Sequence, residues 1–126
     1  MSSNYRPESG ARLVVLDRDG VINRESAEFI KSADEWLPLP GSLEAIAALS
    51  RAGFAVVVAT NQSGVGRGLI SSLALEEIHS RMVQGVEQAG GKLAGIFYCP
   101  HRPEDDCSCR KPRPGLLQQI EARFGC

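Results

Sequence analysis

Two acidic residues, Asp17 and Asp19, follow a short apolar run near the start of the chain. One carboxylate could attack phosphorus and form an aspartyl-phosphate, while the second could protonate the leaving oxygen and then deprotonate a water molecule. Because both acids are negative, such a site needs a cation, and Mg²⁺ is commonly held by carboxylates together with phosphate oxygens. The simpler alternative is that the two acids only solvate the end of a strand.

A second group could bind a metal through sulfur and nitrogen. Cys99, His101, Cys107 and Cys109 form two close pairs that are separated by a short polar segment. This set matches a Cys₃His tetrahedral site and predicts Zn²⁺, which would be structural because the protein supplies all four ligands. The alternative is a group of buried thiols without a metal.

Two polar pairs offer groups that bind phosphoryl oxygens. Thr60 and Asn61 follow an apolar run and could donate hydrogen bonds to charge that develops in a transition state. The same pair is also common in ordinary turns. Arg110 and Lys111 come directly after the last cysteine of the predicted zinc site and offer two cations to phosphate, or form a solvated basic pair.

The apolar pattern predicts an α/β fold that brings these residues together. Continuous apolar runs at 13–16, 54–60 and 93–98 predict parallel strands that are covered on both faces and alternate with helices. Sheets of this kind bind their ligands at the carboxyl ends of the strands. The first helix is predicted to have Ser42 as its N-cap. A second helix starts near Ser71, with His79 on its polar side and without a functional role, and a third helix follows Pro114. The helix residues expected on buried faces are Leu43, Ile46, Ala47, Leu49, Leu75, Ile78, Met82, Val86, Leu116, Leu117, Ile120 and Phe124.

Composition limits the class of protein. The length of 126 residues predicts one domain over 1–126, and the 43% hydrophobic content supports a core. The long polar segment at 24–40 is predicted to be a flap, and the segment at 99–111 a zinc loop. The net charge of -1 gives no electrostatic footprint for nucleic acid or for an anionic membrane. The polar N-terminus lacks a signal peptide, so we expect a cytoplasmic protein with reduced thiols.

These features together resemble the haloacid dehalogenase superfamily of phosphatases. The shared motifs are Asp-Arg-Asp-Gly at 17–20, Thr-Asn-Gln-Ser-Gly at 60–64 and Cys-Arg-Lys-Pro at 109–112. The resemblance implies a Rossmann-like parallel sheet, with Asp17 as nucleophile and Asp19 as general acid and base. It also implies that Thr60 and Lys111 stabilise the phosphoryl group, and that Asp17 and the backbone carbonyl of Asp19 bind Mg²⁺.

The Cys-x-His and Cys-x-Cys pairs narrow the resemblance to the zinc-containing branch of that superfamily. Its heptose 1,7-bisphosphate phosphatases are more similar to this chain than its histidinol-phosphate phosphatases, because of the Asn-Gln-Ser-Gly-x-x-Arg-Gly loop at 61–68. This implies hydrolysis of the C7 phosphate in the heptose pathway to lipopolysaccharide. The residues expected to contact the phosphorylated sugar are Asn61, Gln62, Ser63, Arg110 and, in the flap, Glu25 and Glu28.

Two features depart from the family pattern. The flap carries Glu-Ser-Ala-Glu at 25–28 where relatives often have Asp-His-Gly-Tyr. The fourth motif, which adds an acid to the Mg²⁺ site, is absent together with the strands around it. We therefore expect a C-terminally truncated domain of three strands, monomeric or self-associating through an exposed strand edge. The alternative function is a non-catalytic module that zinc stabilises.

Overall fold

Three parallel strands, β1 (Leu13–Leu16), β2 (Ala55–Asn61) and β3 (Gly95–Cys99), form one sheet in the order β1-β2-β3. The computed structural model describes residues 12–24 and 30–124. Its helices are α1 (Ser42–Arg51), α2 (Ser63–Gly66), α3 (Ser72–Gln88) and α4 (Gly115–Phe124), with 3₁₀ turns at Ala33–Glu35 and Pro103–Asp105. The predicted α/β class with a parallel sheet is confirmed. None of these helices is long and apolar enough to cross a membrane.

The central strand β2 separates two apolar layers. Its residues 55–60 are all buried, and their side chains alternate between the two faces of the sheet. Val56 and Val58 pack in a layer with residues of α1 and α3, whereas Val57 and Ala59 pack with Leu116 of α4. Because the strands are parallel and in register, their carboxyl ends meet at one edge of the sheet.

The structure corrects three expectations from the sequence. Ser42 is the first residue of α1 rather than its N-cap, and its hydroxyl donates a hydrogen bond of 2.7 Å to the carbonyl of Ile22. Leu117 is 48% exposed, because the buried face of α4 is formed by other residues. Val15 in β1 is 37% exposed, since β1 lies at an edge of the described sheet instead of being covered on both faces.

The predicted start of α3 is confirmed. Ser71 is its N-cap, and the Ser71 hydroxyl accepts a hydrogen bond of 3.0 Å from the amide of Ala74. Such a cap satisfies one of the amides that a helix leaves unpaired at its N-terminus.

Gly115 joins α4 to the segment that carries the cysteines. Its amide donates a hydrogen bond of 3.0 Å to the carbonyl of Ser108. A Cβ atom at this position would lie 2.4 Å from the Ser108 oxygen and 2.5 Å from the Cα of Cys109. Backbone atoms cannot rotate away as a side chain can, so only glycine fits between α4 and this segment.

We predict that Gly115→Ala lowers the free energy of unfolding by about 1–3 kcal/mol, because the added methyl group must displace backbone. Urea denaturation of the purified protein measures the change. Gln119→Ala, an exposed substitution in the same helix, is the matched control and should change stability by less than about 0.5 kcal/mol. Equal stability of the two variants would contradict the close packing at Gly115.

Candidate active site

Asp17 presents a carboxylate at the carboxyl end of β1. Its side chain is 46% exposed, and its Oδ1 atom lies 3.2 Å from Nζ of Lys111. The same oxygen accepts a hydrogen bond of 2.8 Å from the amide of Arg18. The other oxygen, Oδ2, has no hydrogen-bond partner among residues 12–24 and 30–124. Asp17 therefore combines one fixed oxygen with one that is available to a ligand.

Lys111 is held beside Asp17 by the end of β2. The amide of Lys111 donates to Oδ1 of Asn61 at 2.9 Å, and Nδ2 of Asn61 donates to the Lys111 carbonyl at 3.2 Å. The Lys111 ammonium also donates to the carbonyl of Ala59 at 2.9 Å. Two hydrogen bonds to the backbone and one to the side chain thus fix this cation at the edge of the sheet.

Asp19 is held by donors on both of its carboxylate oxygens. Oδ1 lies 3.0 Å from Nε of Arg18, 2.9 Å from its Nη2 and 3.0 Å from Nδ2 of Asn23. Oδ2 accepts a hydrogen bond of 3.1 Å from Nε2 of Gln62. The side chain remains 29% exposed, so the carboxylate is fixed in orientation but still open to solvent.

Gln62 connects Asp19 to Thr60. Its amide nitrogen donates at 3.1 Å to Asp19 and at 2.9 Å to the Thr60 hydroxyl, and both Gln62 and Thr60 are buried. Ser63, which begins α2, is also buried. Asn61 and Gln62 therefore both direct their amide groups toward other residues of the site rather than toward open solvent.

Arg110 and Lys111 line a cavity of about 220 Å³ together with Arg113. Nη1 of Arg110 is buried and has no hydrogen-bond partner within the described chain. A buried donor without a partner is costly, so a rearrangement that brings Nη1 to an anion would be favourable. Glu25 and Glu28, the flap residues expected to contact substrate, lie outside the described residues.

The structure adds two residues that the sequence analysis had not assigned to the site. Arg18 is fully buried between the two acids, and its Nη1 atom lies 3.1 Å from Nε2 of His79. The expectation that His79 lies on the polar side of α3 is wrong, because its exposure is 8%. Its position four residues after Leu75 and three before Met82 places it on their face, a signal that was available in the sequence.

The buried environment changes the ionisation of His79. Burial and, to a smaller extent, the adjacent positive charge of Arg18 lower its pKa to about 4, while Asp19 acts in the opposite direction. The imidazole is therefore neutral at pH 7. Since Arg18 can only donate, Nε2 of His79 is the acceptor of their hydrogen bond and the ring proton is on Nδ1.

Cys99, His101, Cys107 and Cys109 form a group that could hold a metal ion. Their ligand atoms all lie within 4.8 Å of one another, and the three described cysteines are free thiols. Zn–S bonds of about 2.3 Å place tetrahedral ligands about 3.7 Å apart. Here Cys107 Sγ lies 3.4 Å from Cys99 Sγ and 3.7 Å from Cys109 Sγ, and His101 Nδ1 lies 3.3 Å from Cys109 Sγ. The donor set therefore fits one tetrahedral metal ion if the 2.7 Å separation between the sulfur atoms of Cys99 and Cys109 widens by about 1 Å.

Comparison with known proteins identifies the family. The family model described as "Polynucleotide kinase 3 phosphatase" matches residues 12–125. The chain belongs to this family. It is 54% identical over 113 residues to D-glycero-beta-D-manno-heptose-1,7-bisphosphate 7-phosphatase of Pseudomonas aeruginosa, and 51% identical over 113 residues to the enzyme of that name from Neisseria meningitidis. These matches cover 90% of the chain but only 64% and 60% of the relatives, so the chain spans less than two thirds of their length.

A solved structure agrees with this assignment. The crystal structure of D,D-heptose 1,7-bisphosphate phosphatase from B. bronchiseptica, complexed with magnesium and phosphate, matches with a TM-score of 0.89 and 51% sequence identity. The match covers 91% of this chain and 64% of the other. A further solved structure, described as a "putative had-like phosphatase" from Mesorhizobium loti, matches with a TM-score of 0.80 and 33% sequence identity over 90% of this chain and 57% of the other, which confirms the resemblance to phosphatases of the haloacid dehalogenase type.

We predict that His79 makes stability depend on pH between about 6.5 and 4. In the unfolded chain the imidazole binds a proton near pH 6.5, whereas in the folded chain its pKa is about 4, so protons favour unfolding within this window. As the pH falls from 7 to 4, the wild type should lose about 1–3 kcal/mol more free energy of unfolding than His79→Gln. Denaturation curves of both proteins at several pH values measure the difference, and parallel pH dependences would contradict a buried neutral imidazole.

Proposed function

We propose that this chain carries the phosphoryl-transfer site of a phosphatase that removes the C7 phosphate of D-glycero-D-manno-heptose 1,7-bisphosphate. The observation that carries the proposal is the exposed Asp17 carboxylate with the Lys111 ammonium 3.2 Å away. A phosphate is repelled by a lone carboxylate, so a fixed cation beside it is what a carboxylate nucleophile requires. The relatives at 51–54% identity are heptose bisphosphate phosphatases by name, which supports heptose bisphosphate as substrate.

Asp17 and Asp19 divide the chemistry between them. Asp19 enters the cycle protonated. A carboxylate oxygen of Asp17 attacks phosphorus, and the bond from phosphorus to the C7 oxygen breaks while Asp19 delivers its proton to that oxygen and becomes a carboxylate. Asp19 then takes a proton from water, the resulting hydroxide attacks the aspartyl-phosphate, and inorganic phosphate leaves with Asp17 regenerated. Oδ2 of Asp19 suits this proton exchange, because it accepts one hydrogen bond, whereas Oδ1 accepts two and also forms an ion pair with Nη2 of Arg18.

Lys111 and Thr60 act on the charge that builds up on the phosphoryl oxygens. The Lys111 ammonium is held at the edge of the sheet by Asn61 and Ala59, so little reorganisation is needed when charge develops. Thr60 is buried and hydrogen-bonded to Gln62, and its hydroxyl donates to the phosphoryl group when substrate occupies the edge. Asn61 and Gln62 support these two residues in addition to their proposed contacts with substrate.

The acids also fit a Mg²⁺ ion. Oxygen ligands are what this cation prefers, and Oδ2 of Asp17 has no other partner within the described chain. Asp17 and the backbone carbonyl of Asp19 would hold the ion, which would neutralise charge on the phosphate. Arg110, Ser63, Glu25 and Glu28 complete the proposed substrate contacts.

The Cys/His group is proposed to bind Zn²⁺ in a structural role. Three thiolates and an imidazole are the donors that zinc prefers, and four protein ligands leave no position for substrate. The metal would fix the loop from which Arg110 and Lys111 reach the phosphate.

Further proposals are a cytoplasmic location, action on a small phosphorylated sugar rather than on nucleic acid or membrane, and a place in the synthesis of lipopolysaccharide heptose.

We predict that the protein with Mg²⁺ releases phosphate from heptose 1,7-bisphosphate and leaves heptose 1-phosphate, which ³¹P NMR identifies. Asp17→Asn should reduce the rate to background because no nucleophile remains, and Asp19→Asn should lower kcat by about 100- to 10 000-fold.

Glu121→Gln is the matched control, because Glu121 is an exposed acid in α4 with no proposed contact to substrate. It should retain the wild-type rate. Full activity of Asp17→Asn would contradict the assignment of Asp17 as nucleophile. A higher kcat/KM for histidinol phosphate than for heptose 1,7-bisphosphate would contradict the proposed substrate.

We predict about one zinc ion per purified chain, measured by elemental analysis. Cys107→Ser should lose most of this zinc and lower Tm by about 10 °C or more, since a structural metal contributes its binding free energy to folding. Ser108→Ala, an exposed neighbour in the same loop, should leave both values unchanged. Unaltered zinc content and Tm in Cys107→Ser would refute the site.

A further inference from the structure

Arg18 is a fully buried guanidinium that needs an acceptor for each of its donor groups. Its exposure is 0%, and a buried charge is tolerated only when it is paired and hydrogen-bonded. Nε lies 3.0 Å from Oδ1 of Asp19, and Nη2 lies 2.9 Å from the same atom and 3.1 Å from Oε1 of Gln62. These contacts pair Nε and Nη2 of the guanidinium, so Nη1 is the remaining nitrogen.

His79 supplies the acceptor at the remaining corner. Its Nε2 atom lies 3.1 Å from Nη1 of Arg18, although the two residues are 61 positions apart in the chain. The imidazole itself is fixed within α3 and lies against the ring of Tyr98, with a centroid distance of 5.9 Å. Because burial and Arg18 hold its pKa at about 4, the ring stays neutral and keeps an acceptor for Arg18.

The orientation of Arg18 determines the orientation of Asp19. Two of the three donors to Oδ1 of Asp19 belong to Arg18, and the donor to Oδ2 is Gln62, whose own carbonyl is held by Arg18. A guanidinium is planar and rigid, so a contact at one corner restricts the other two. Loss of the acceptor at Nη1 would therefore allow Arg18 to turn and release both oxygens of Asp19.

We propose that His79 is a positioning residue that acts through Arg18 to hold the Asp19 carboxylate in the orientation needed for proton transfer. This inference rests on the proposed function, in which Asp19 exchanges the proton with substrate and water. His79 itself does not touch the reacting groups. A purely structural role, in which the ring only fills space under α3, makes different predictions for substitutions of similar size.

Three substitutions separate these roles. The Gln side chain places an amide oxygen near the position of Nε2, whereas Asn is shorter and Leu has no acceptor. We expect His79→Leu and His79→Asn to lower kcat by about 10- to 100-fold with KM changed less than about 2-fold, and His79→Gln to stay within about 3-fold of the wild type. Ser80→Ala, an exposed neighbour in α3, is the control and should behave as the wild type.

The measurements are kcat and KM for phosphate release, with Tm recorded for each variant. Wild-type kcat in a folded His79→Leu would overturn the proposal, and so would an equal loss in His79→Gln and His79→Leu, since the acceptor would then be irrelevant. Rescue by Gln but not by Asn supports it.

A second measurement does not depend on turnover. Rotation of a buried and hydrogen-bonded guanidinium is slow, so ¹⁵N NMR should resolve separate Nη1 and Nη2 signals for Arg18, identified by their proximity to the His79 ring. These signals should persist in His79→Gln and average in His79→Leu. If the wild type released no phosphate, the proposed function would fail, and this NMR comparison alone would support or overturn the hold of His79 on Arg18.

Discussion

The need to satisfy a buried guanidinium organises the edge of the sheet where the candidate site lies. Arg18 has no contact with water, so its donors must find acceptors within the protein. Those acceptors come from three places: Asp19 beside it, Gln62 after β2 and His79 in α3. One charged group thus fixes the positions of the first strand, the second strand and the longest helix relative to one another. The orientation of the Asp19 carboxylate, directly after Arg18 in the sequence, depends on this arrangement.

A separate set of contacts, made by Lys111, lies at the same edge of the sheet. The segment with the cysteines leads directly into Lys111, and Asn61 binds the backbone of Lys111 through both its amide oxygen and its amide nitrogen. Asp17 is where the two sets meet, because its Oδ1 atom contacts the amide of Arg18 and the ammonium of Lys111. The negative charge of Asp17 is thereby balanced while its second oxygen remains available. This arrangement of Asp17 requires both the amide of its neighbour Arg18 and the ammonium of Lys111, which is distant in the chain.

The sequence predicted well the strands, the order of elements and the grouping of the Cys/His side chains, because continuous apolar runs and closely spaced thiols leave few alternatives. It did not predict the buried polar network. Arg18 was treated only as the spacer between two acids, and His79 was assigned to a polar face, since charged and polar residues are ordinarily exposed. The burial of Arg18 depends on acceptors that lie far apart in the chain, which no local pattern contains, whereas the spacing of His79 from Leu75 and Met82 did indicate its buried face. The exposure of Leu117 has a similar origin, because the contacts of α4 with the sheet decide which of two adjacent leucines is covered.

The short distance along the chain between Cys109 and Lys111 has an evolutionary consequence. Only Arg110 separates the last member of the Cys/His group from the cation beside Asp17. One inserted residue would advance the backbone by about 3.3–3.6 Å, more than the 3.2 Å that separates Nζ from the carboxylate. We therefore expect an insertion or a deletion here, which surface loops usually tolerate, to separate the Lys111 ammonium from the Asp17 carboxylate. Selection on activity would then act on the length of this segment as well as on its residues.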